Sequence, residues 1–276
     1  MKFLLCPLCT AARVINRISP ETGDLEFVDV TSVGDELFLV LNRCIDQIAV
    51  YSTNNYKLLR HLEVPLYEPR RAFAMTSCVR RKCLYMSDDD KQCIRRYALS
   101  SSATDRWPLS FRPYGLSVTP NGNLLVTCTF PNKLVELSAE SGEQVRAISL
   151  QKDIECLWHG IQLANGQFVV CDGIYGSLNR VYMVDDDGRV TRSYGGEYGS
   201  GDGQLDSPLH LAVDEDSQLI FVADSGNDRV VVLSLALEFV RYISEGIQWP
   251  KRLHLDQTTR RLYVAQGRGR VIVIQL

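Results

Sequence analysis

The sequence has no uninterrupted run of about 18 apolar residues, the length that a membrane-spanning helix needs. It also lacks a strong charge of either sign, because 30 Lys and Arg residues face 33 Asp and Glu residues. Bulk charge therefore gives no general attraction to nucleic acid or anionic membranes, and a polyanion would need a local basic patch. We expect a soluble, cytoplasmic globular protein with no membrane partner.

The sequence also lacks a disulfide framework. Nine cysteines are scattered along the chain without regular spacing, which is typical of reduced thiols in a protein core. Cys6 and Cys9 form a CxxC pair with no second pair at zinc-finger spacing, so we predict no metal site there. Residues 1–12 only partly match a secretion signal, because Pro7 interrupts the short apolar stretch.

A repeated pattern of short apolar runs dominates the rest of the chain. It is clearest over 208–243, where runs rich in β-branched and aromatic residues lie at 208–214, 219–224, 229–233 and 239–243. Polar turn residues separate these runs, so the pattern predicts four consecutive β-strands. In a similar upstream unit, Asn121-Gly122 predicts a tight hairpin in which both residues can adopt positive φ.

Six such units follow one another, with approximate bounds 20–66, 67–110, 111–151, 152–204, 205–245 and 246–276. A spacing of roughly 40–45 residues with four strands per unit is typical of β-propeller blades. The sixth unit contains only three strands, and the surplus strand-like segment 11–18 supplies the fourth. The sequence thus predicts one all-β domain, a six-bladed β-propeller whose N-terminal strand completes the last blade. The glycine-rich stretch 195–203 predicts a flexible connection between units four and five.

The best-defined unit resembles an NHL repeat. Between Gly201 and Val230 the chain reads Gly-x-Gly-Gln-Leu-Asp-x-Pro, then Leu-Ala-Val-Asp, then Val-Ala-Asp-Ser-Gly-Asn-Asp-Arg-Val. NHL propellers are best known at the C-terminus of tripartite-motif proteins, where they bind RNA or proteins. The RING finger, B-boxes and coiled coil that precede those propellers are not present in this sequence. The resemblance implies a binding domain without a ubiquitin-ligase module, and leaves open whether a longer protein once surrounded it.

Catalytic motifs are scarce. The sequence contains four histidines, His61, His159, His210 and His254, whose spacing does not match a zinc site, and the inner strands offer no clear acidic ligand set for calcium. It has no phosphate-binding glycine loop and no nucleophile elbow. We therefore predict a non-enzyme with no catalytic residues, cofactor or metal. A metal-dependent propeller lyase or lactonase stays as a minor alternative.

The openings of the inner strands offer the best candidate binding site. Basic, aromatic or protonatable residues stand at these positions in units two to six, around the mouth of the central channel. Aligning the units on Pro208-Leu209-His210 predicts a partner-binding rim formed by Arg70, Arg71, Arg112, Tyr114, His159, His210, Lys251 and Arg252.

A rim of this kind suits an acidic peptide or a phosphate backbone. The alternative is that its residues are ordinary surface groups paired with neighbouring carboxylates. The favoured hypothesis is a monomeric scaffold that binds a protein partner on the channel-mouth face, with single-stranded RNA as the second candidate. The polar residues Asp224, Asn227 and Arg229 are interpreted as structural, because similar residues recur in equivalent turns of other units.

Overall fold

The computed structural model describes residues 12–20, 27–41, 47–64, 74–173, 178–267 and 269–276. In these segments strands alternate with turns, and the only helix is a 3₁₀ turn at Ser225–Asn227. None of the described segments forms a helix with the length and apolarity needed to cross a membrane. The strands are, in chain order, β1 (Arg13–Ile18), β2 (Phe27–Val33), β3 (Glu36–Leu41), β4 (Gln47–Ser52), β5 (Leu58–Glu63), β6 (Met75–Cys78), β7 (Cys83–Asp88), β8 (Cys93–Ala98), β9 (Thr104–Pro108), β10 (Leu116–Val118), β11 (Leu124–Thr129), β12 (Asn132–Leu137), β13 (Gln144–Ser149), β14 (Leu157–Gln162), β15 (Phe168–Asp172), β16 (Leu178–Val184), β17 (Val190–Glu197), β18 (Pro208–Asp214), β19 (Leu219–Asp224), β20 (Arg229–Ser234), β21 (Phe239–Ile243), β22 (Pro250–Asp256), β23 (Arg261–Gln266) and β24 (Val271–Gln275).

These strands form six antiparallel sheets of four strands each. Blades 1 to 5 are β2–β5, β6–β9, β10–β13, β14–β17 and β18–β21, each in sequence order. Blade 6 combines β22, β23 and β24 with β1. The predicted six-bladed β-propeller is therefore confirmed.

The ring closes through β1, as the sequence predicts. This strand pairs antiparallel with β24, from Arg13 opposite Gln275 to Ile18 opposite Val271. Only Ile18 in β1 is fully buried, and it packs into the core between blades 6 and 1. The two ends of the described chain thus share one sheet, which gives blade 6 its fourth strand.

In the described segments the core consists of six apolar clusters, each between two neighbouring blades. Successive side chains of a strand point to opposite faces of its sheet, so one strand feeds two clusters. In β20, Val231 and Leu233 pack toward blade 4, whereas Val230 and Val232 pack toward blade 6. This double burial explains why β20 is a continuous apolar run from Val230 to Leu233, with no polar alternation.

Two local expectations need correction. In the turn after β10, only Gly122 adopts positive φ, at 81°, and its N–H donates to the Thr119 carbonyl to close a three-residue turn. The stretch 195–203 is not simply a flexible connection. Gly195 pairs with Arg180 as part of β17, and hydrogen bonds fix the segment that follows.

The propeller has two distinct faces. Inner strands begin on one face, where the connections between blades and the turns between second and third strands also lie. We call it the channel-mouth face. The first and second strands of each blade are joined by hairpin turns on the opposite side, which we call the hairpin face.

Candidate functional site

Six residues occupy the same register position near the start of the inner strands. Each stands directly before a residue that pairs with the central position of the second strand, such as Leu116 opposite Val126 or Leu211 opposite Val222. This set, which we call the channel layer, comprises Asp29, Ala74, Gly115, His159, His210 and Arg252.

The alignment of the six sequence units assigned the wrong residue to this layer in blades 2 and 4. It matched Gly160 with His210, but the same bulge lies between Leu157 and His159 in blade 4 and between Pro208 and Leu211 in blade 5, so His159 is the counterpart of His210. In blade 2 it matched Arg71, whereas the structure puts Ala74 at this position, with the Ala74 carbonyl accepting from the Ser87 N–H. Arg70 and Arg71 themselves lie outside the described residues. The alignment took Trp158 as the counterpart of Pro208, whereas Leu157 pairs with Asp172 just as Pro208 pairs with Asp224. This slip of one residue explains the error in blade 4.

His159 and His210 stack face to face inside the channel. Their ring centroids are 3.7 Å apart and their planes differ by 18°. The Leu211 N–H donates to His159 Nδ1 at 3.3 Å, and His159 Nε2 lies 3.1 Å from the Leu116 carbonyl. His210 Nδ1 likewise accepts from the Leu253 N–H at 3.3 Å. Each imidazole therefore ties its own inner strand to the next blade, which is a structural role.

Both stacked histidines are neutral at neutral pH. Burial lowers the pKa of His159 to about 3, and burial together with the neighbouring His159 holds the pKa of His210 well below its usual value. His254 lies two residues beyond Arg252 in β22 and forms a hydrogen bond with Ser32 Oγ at 2.7 Å, and burial lowers its pKa to about 4. These side chains add no positive charge to the channel.

Arg252 supplies a cation to the layer, but Asp29 faces it directly. Arg252 Nε lies 3.4 Å from Asp29 Oδ2, and both side chains are buried. The N–H groups of Val30 and Met75 each donate to the Asp29 carboxylate at 2.7 Å. Burial raises the pKa of Asp29 to about 6, despite the opposing effect of Arg252. The ion pair cancels most of the charge that the sequence assigned to Arg252.

A cavity of about 210 Å³ runs along the channel from this layer. Its wall includes His159 and His210, and its other residues lie further along the inner strands toward the hairpin face, among them Ser117, Ile161 and His254. The volume is below the 300 Å³ or more that is usual for small-molecule sites. Among the described residues, no group of three or more His, Cys, Asp or Glu side chains is arranged to hold a metal ion.

The remaining predicted rim residues lie closer to solvent. Arg112 is exposed, and Tyr114 and Lys251 are half-buried. Tyr114 packs edge-on against Trp158, with ring centroids 5.9 Å apart. The structure therefore separates the predicted rim into a buried layer of His159, His210 and Arg252 and an outer group nearer the surface.

Three exposed aromatic residues were missed by the sequence reasoning. Phe130, Tyr198 and Trp249 expose 76%, 68% and 52% of their surface, and all three belong to connections on the channel-mouth face. Large aromatic residues inside Gly-, Pro- and Asp-containing turn segments were the available signal, because connecting segments run over the protein surface. Most other exposed large apolar side chains of the described segments lie on the outer strands, and Val79 is on the hairpin face.

Comparisons with known proteins identify the fold but not the activity. No protein-family model matches the chain, and no curated protein matches it significantly. The chain resembles an inactive variant of virginiamycin B lyase from Staphylococcus aureus crystallised with quinupristin, at 10% identity and a TM-score of 0.66, covering 96% of this chain and 99% of that one. It also resembles the Cps50 (Swd1) β-propeller domain from Myceliophteria thermophila, again at 10% identity and a TM-score of 0.66, with the same coverage.

Hydrazine synthase from Kuenenia stuttgartiensis is a third similar structure, at 13% identity and a TM-score of 0.65, covering 94% of this chain and 97% of that chain. Such low identities show the β-propeller fold alone. These similar structures include a lyase, a synthase and the Swd1 propeller domain. They therefore do not decide between a catalytic and a binding function for this chain.

Because the buried histidines are neutral, we expect acid to lower the stability of the fold. A histidine whose folded pKa is depressed stabilises the fold fully above its unfolded pKa of about 6.5 and loses that contribution as the pH falls toward the folded value. His159 and His254 lose theirs between about pH 6.5 and pH 3–4. Asp29 acts in the opposite direction, because its raised pKa makes folding more favourable as the pH falls from about 6. Burial also raises the pKa of Asp172 and Asp224, which act in the same direction as Asp29. With His210 added, we expect the three buried histidines to outweigh these three carboxyls.

The denaturant midpoint should therefore fall between neutral pH and about pH 4. The His159→Gln variant keeps an acceptor for the Leu211 N–H and should show a smaller fall. Equilibrium unfolding followed by tryptophan fluorescence measures both proteins. A midpoint that stays constant over this range would mean that the histidines are not buried in neutral form.

Proposed function

We propose that this propeller is a non-catalytic scaffold that binds a protein partner on its channel-mouth face. The observation that supports this most directly is that Phe130, Tyr198 and Trp249 are all exposed in connections on that face. Exposed aromatic side chains of this size are unfavourable in water and are enriched in protein interfaces. All three lie on the side of the ring where the inner strands begin.

Binding is favoured over catalysis by the state of the channel histidines. His159 has hydrogen-bond partners at both ring nitrogens, and its low pKa makes it a poor proton acceptor near neutral pH. The same bonds tie neighbouring blades together. A propeller lyase or lactonase is the weaker proposal.

The resemblance of residues 201–230 to NHL repeats supports a binding role, and it also keeps single-stranded RNA as the second candidate. Arg112 with the Tyr114–Trp158 pair offers one cation and two aromatic rings at the mouth. Buried neutral histidines and the Arg252–Asp29 pair reduce the positive charge that a phosphate backbone would need. The geometry therefore supports a protein partner more strongly.

The test compares two surface variants of the full chain as affinity baits. One carries Phe130→Ser, Tyr198→Ser and Trp249→Ser, and the control carries Val79→Ser on the hairpin face. We expect quantitative mass spectrometry to show a defined set of proteins retained by the wild type and the control but reduced about tenfold or more with the triple variant. Circular dichroism checks that all three baits are folded.

Equal recovery of every captured protein with the three baits would reject the channel-mouth face as the interface. Fluorescence anisotropy with labelled single-stranded RNA tests the second candidate function, RNA binding. RNA binding that weakens steeply with salt, while the baits capture the same proteins, would replace the protein-scaffold proposal with RNA binding.

A further inference from the structure

Two of the exposed aromatic residues flank blade 5 and are connected through its turn. Asn227 Nδ2 donates to the Gly199 carbonyl, next to Tyr198, at 2.9 Å. On the other side, the Trp249 N–H donates to Asp228 Oδ1 at 2.7 Å. Tyr198 and Trp249 therefore belong to one continuous surface over the turn at 225–228.

Carboxylates lie on the same surface. Asp202 and Asp228 are exposed, and Asp206 is half-buried. The Asp206 carboxylate packs directly over Gly226, and its backbone carbonyl accepts from the Gly226 N–H at 2.9 Å. We call this surface the blade-5 patch; it comprises Tyr198, Asp202, Asp206, Asp228 and Trp249.

Few cations of the described segments oppose these carboxylates. Arg229 lies beneath the patch, buried and paired with Asp224 at 2.7 Å. Lys251 is half-buried beside Trp249, and Arg17 packs against Gly246 near Glu245 at the edge. Arg180, also half-buried, lies next to Gly196 and interacts with the Asp172 carboxylate. Within the part of the chain that the structure describes, three patch carboxylates thus have two half-buried cations nearby, Lys251 and Arg180.

The loop that carries Tyr198 is held in place from below. Arg229 donates to the carbonyls of Ser200 and Gln204 at 3.1 and 3.0 Å, and its guanidinium stacks on the Tyr242 ring at 4.1 Å. A preorganised loop loses little conformational entropy when it binds a partner. The part of the patch that carries Tyr198 is therefore preorganised for binding.

The backbone at Trp249 does not require a tryptophan. Trp249 has φ of 46°, in the left-handed region that bulky residues avoid. Ser207 takes the equivalent place before Pro208 in blade 5, with φ of 54°. A small polar residue thus satisfies the same backbone geometry. Part of the Trp249 side chain packs against Gly267, while 52% of the residue's surface is exposed. A tryptophan kept at a strained backbone position with half its surface exposed suggests a binding role besides this packing.

We propose that the blade-5 patch binds a lysine- and arginine-rich segment of the protein partner. This inference rests on the proposed function and names its ligand chemistry. Aromatic faces attract ammonium and guanidinium groups, and the surrounding carboxylates complement the same charge. An acidic peptide or a phosphate backbone would be repelled at this position.

The probe is a fluorescein-labelled peptide of alternating glycine and lysine or arginine, with a glutamate peptide of equal length as the comparison. Binding to the full chain is measured by fluorescence anisotropy at several salt concentrations. We expect the wild type to bind the basic peptide and not the acidic one. Trp249→Asn should weaken binding about tenfold, and it should leave thermal stability equal or higher because Asn tolerates positive φ.

A matched pair of variants separates the patch from bulk charge. Asp202→Asn with Asp228→Asn removes two carboxylates from the patch, and the amide oxygen introduced by Asp228→Asn still accepts from the Trp249 N–H. Asp187→Asn with Asp216→Asn removes the same charge from turns on the hairpin face. We expect only the first variant to weaken the basic peptide, about threefold to tenfold, and to flatten its salt dependence.

Equal weakening by both double variants, or no basic-peptide binding by the wild type, would overturn the inference. If the triple aromatic variant still loses its captured proteins in that case, the scaffold proposal stands and only the ligand chemistry is wrong. If Trp249→Asn lowers thermal stability and leaves peptide binding unchanged, tryptophan has a structural role and the inference fails at this residue.

Discussion

Replacing Asp224 with alanine should lower the free energy of unfolding by about 3–5 kcal/mol. This carboxylate is fully buried at the end of β19 and accepts from the Asp206 N–H, from Asn227 Nδ2 and from Arg229 Nε, at 2.7, 2.9 and 2.7 Å. Its removal leaves the buried Arg229 guanidinium without its carboxylate. Breaking such a pair on one side is costly, because the remaining charge stays out of water.

Chemical denaturation monitored by circular dichroism measures this loss. The control is Asp187→Ala, which breaks an ion pair with Arg189 in which both side chains are more than 60% exposed. We expect a change within about 0.5 kcal/mol there, since exposed pairs contribute little. A loss below about 1 kcal/mol for Asp224→Ala would show that the turn does not depend on this ion pair.

Truncation of Ile18 should weaken the closure of the ring. Ile18 is 4% exposed and packs between blades 6 and 1, so Ile18→Ala should cost about 2–4 kcal/mol through lost burial and the cavity it leaves. Ile15 lies in the same strand but is 41% exposed, and Ile15→Ala should change stability by less than about 0.5 kcal/mol.

The two variants share strand, residue type and substitution, so their comparison isolates burial. Denaturant midpoints with unchanged slopes would confirm a loss of native stability. Equal midpoints for Ile18→Ala and Ile15→Ala would mean that β1 contributes its backbone pairing and little side-chain packing.

The ring could be predicted from the sequence because each blade repeats a local pattern. Apolar runs such as 229–233 are buried on both faces, and turn residues such as Gly122 mark their ends. The strand that completes blade 6 followed from counting, since the last unit lacked a fourth strand and 11–18 was unassigned. These features depend on residues close together in the chain, which a single sequence displays.

The candidate site was harder to predict because it depends on register across blades. His159 and His210 belong to different blades, and their rings stack because both occupy the same register position on adjacent inner strands. Their neutral state follows from burial, which no local pattern reveals. The pairing of Arg252 with Asp29 joins opposite ends of the chain and turns a predicted surface cation into a buried one.

The pairing of β1 with β24 has a practical consequence for the order of the chain. Arg13 lies opposite Gln275, and both Ala12 and Leu276 pack against the same apolar cluster, so a short linker could join them. The chain could then be reopened at the exposed turn that includes Asp187, between β16 and β17. We expect such a circular permutant to form the same six blades. Blade 4 instead of blade 6 would then contain strands from both ends of the chain.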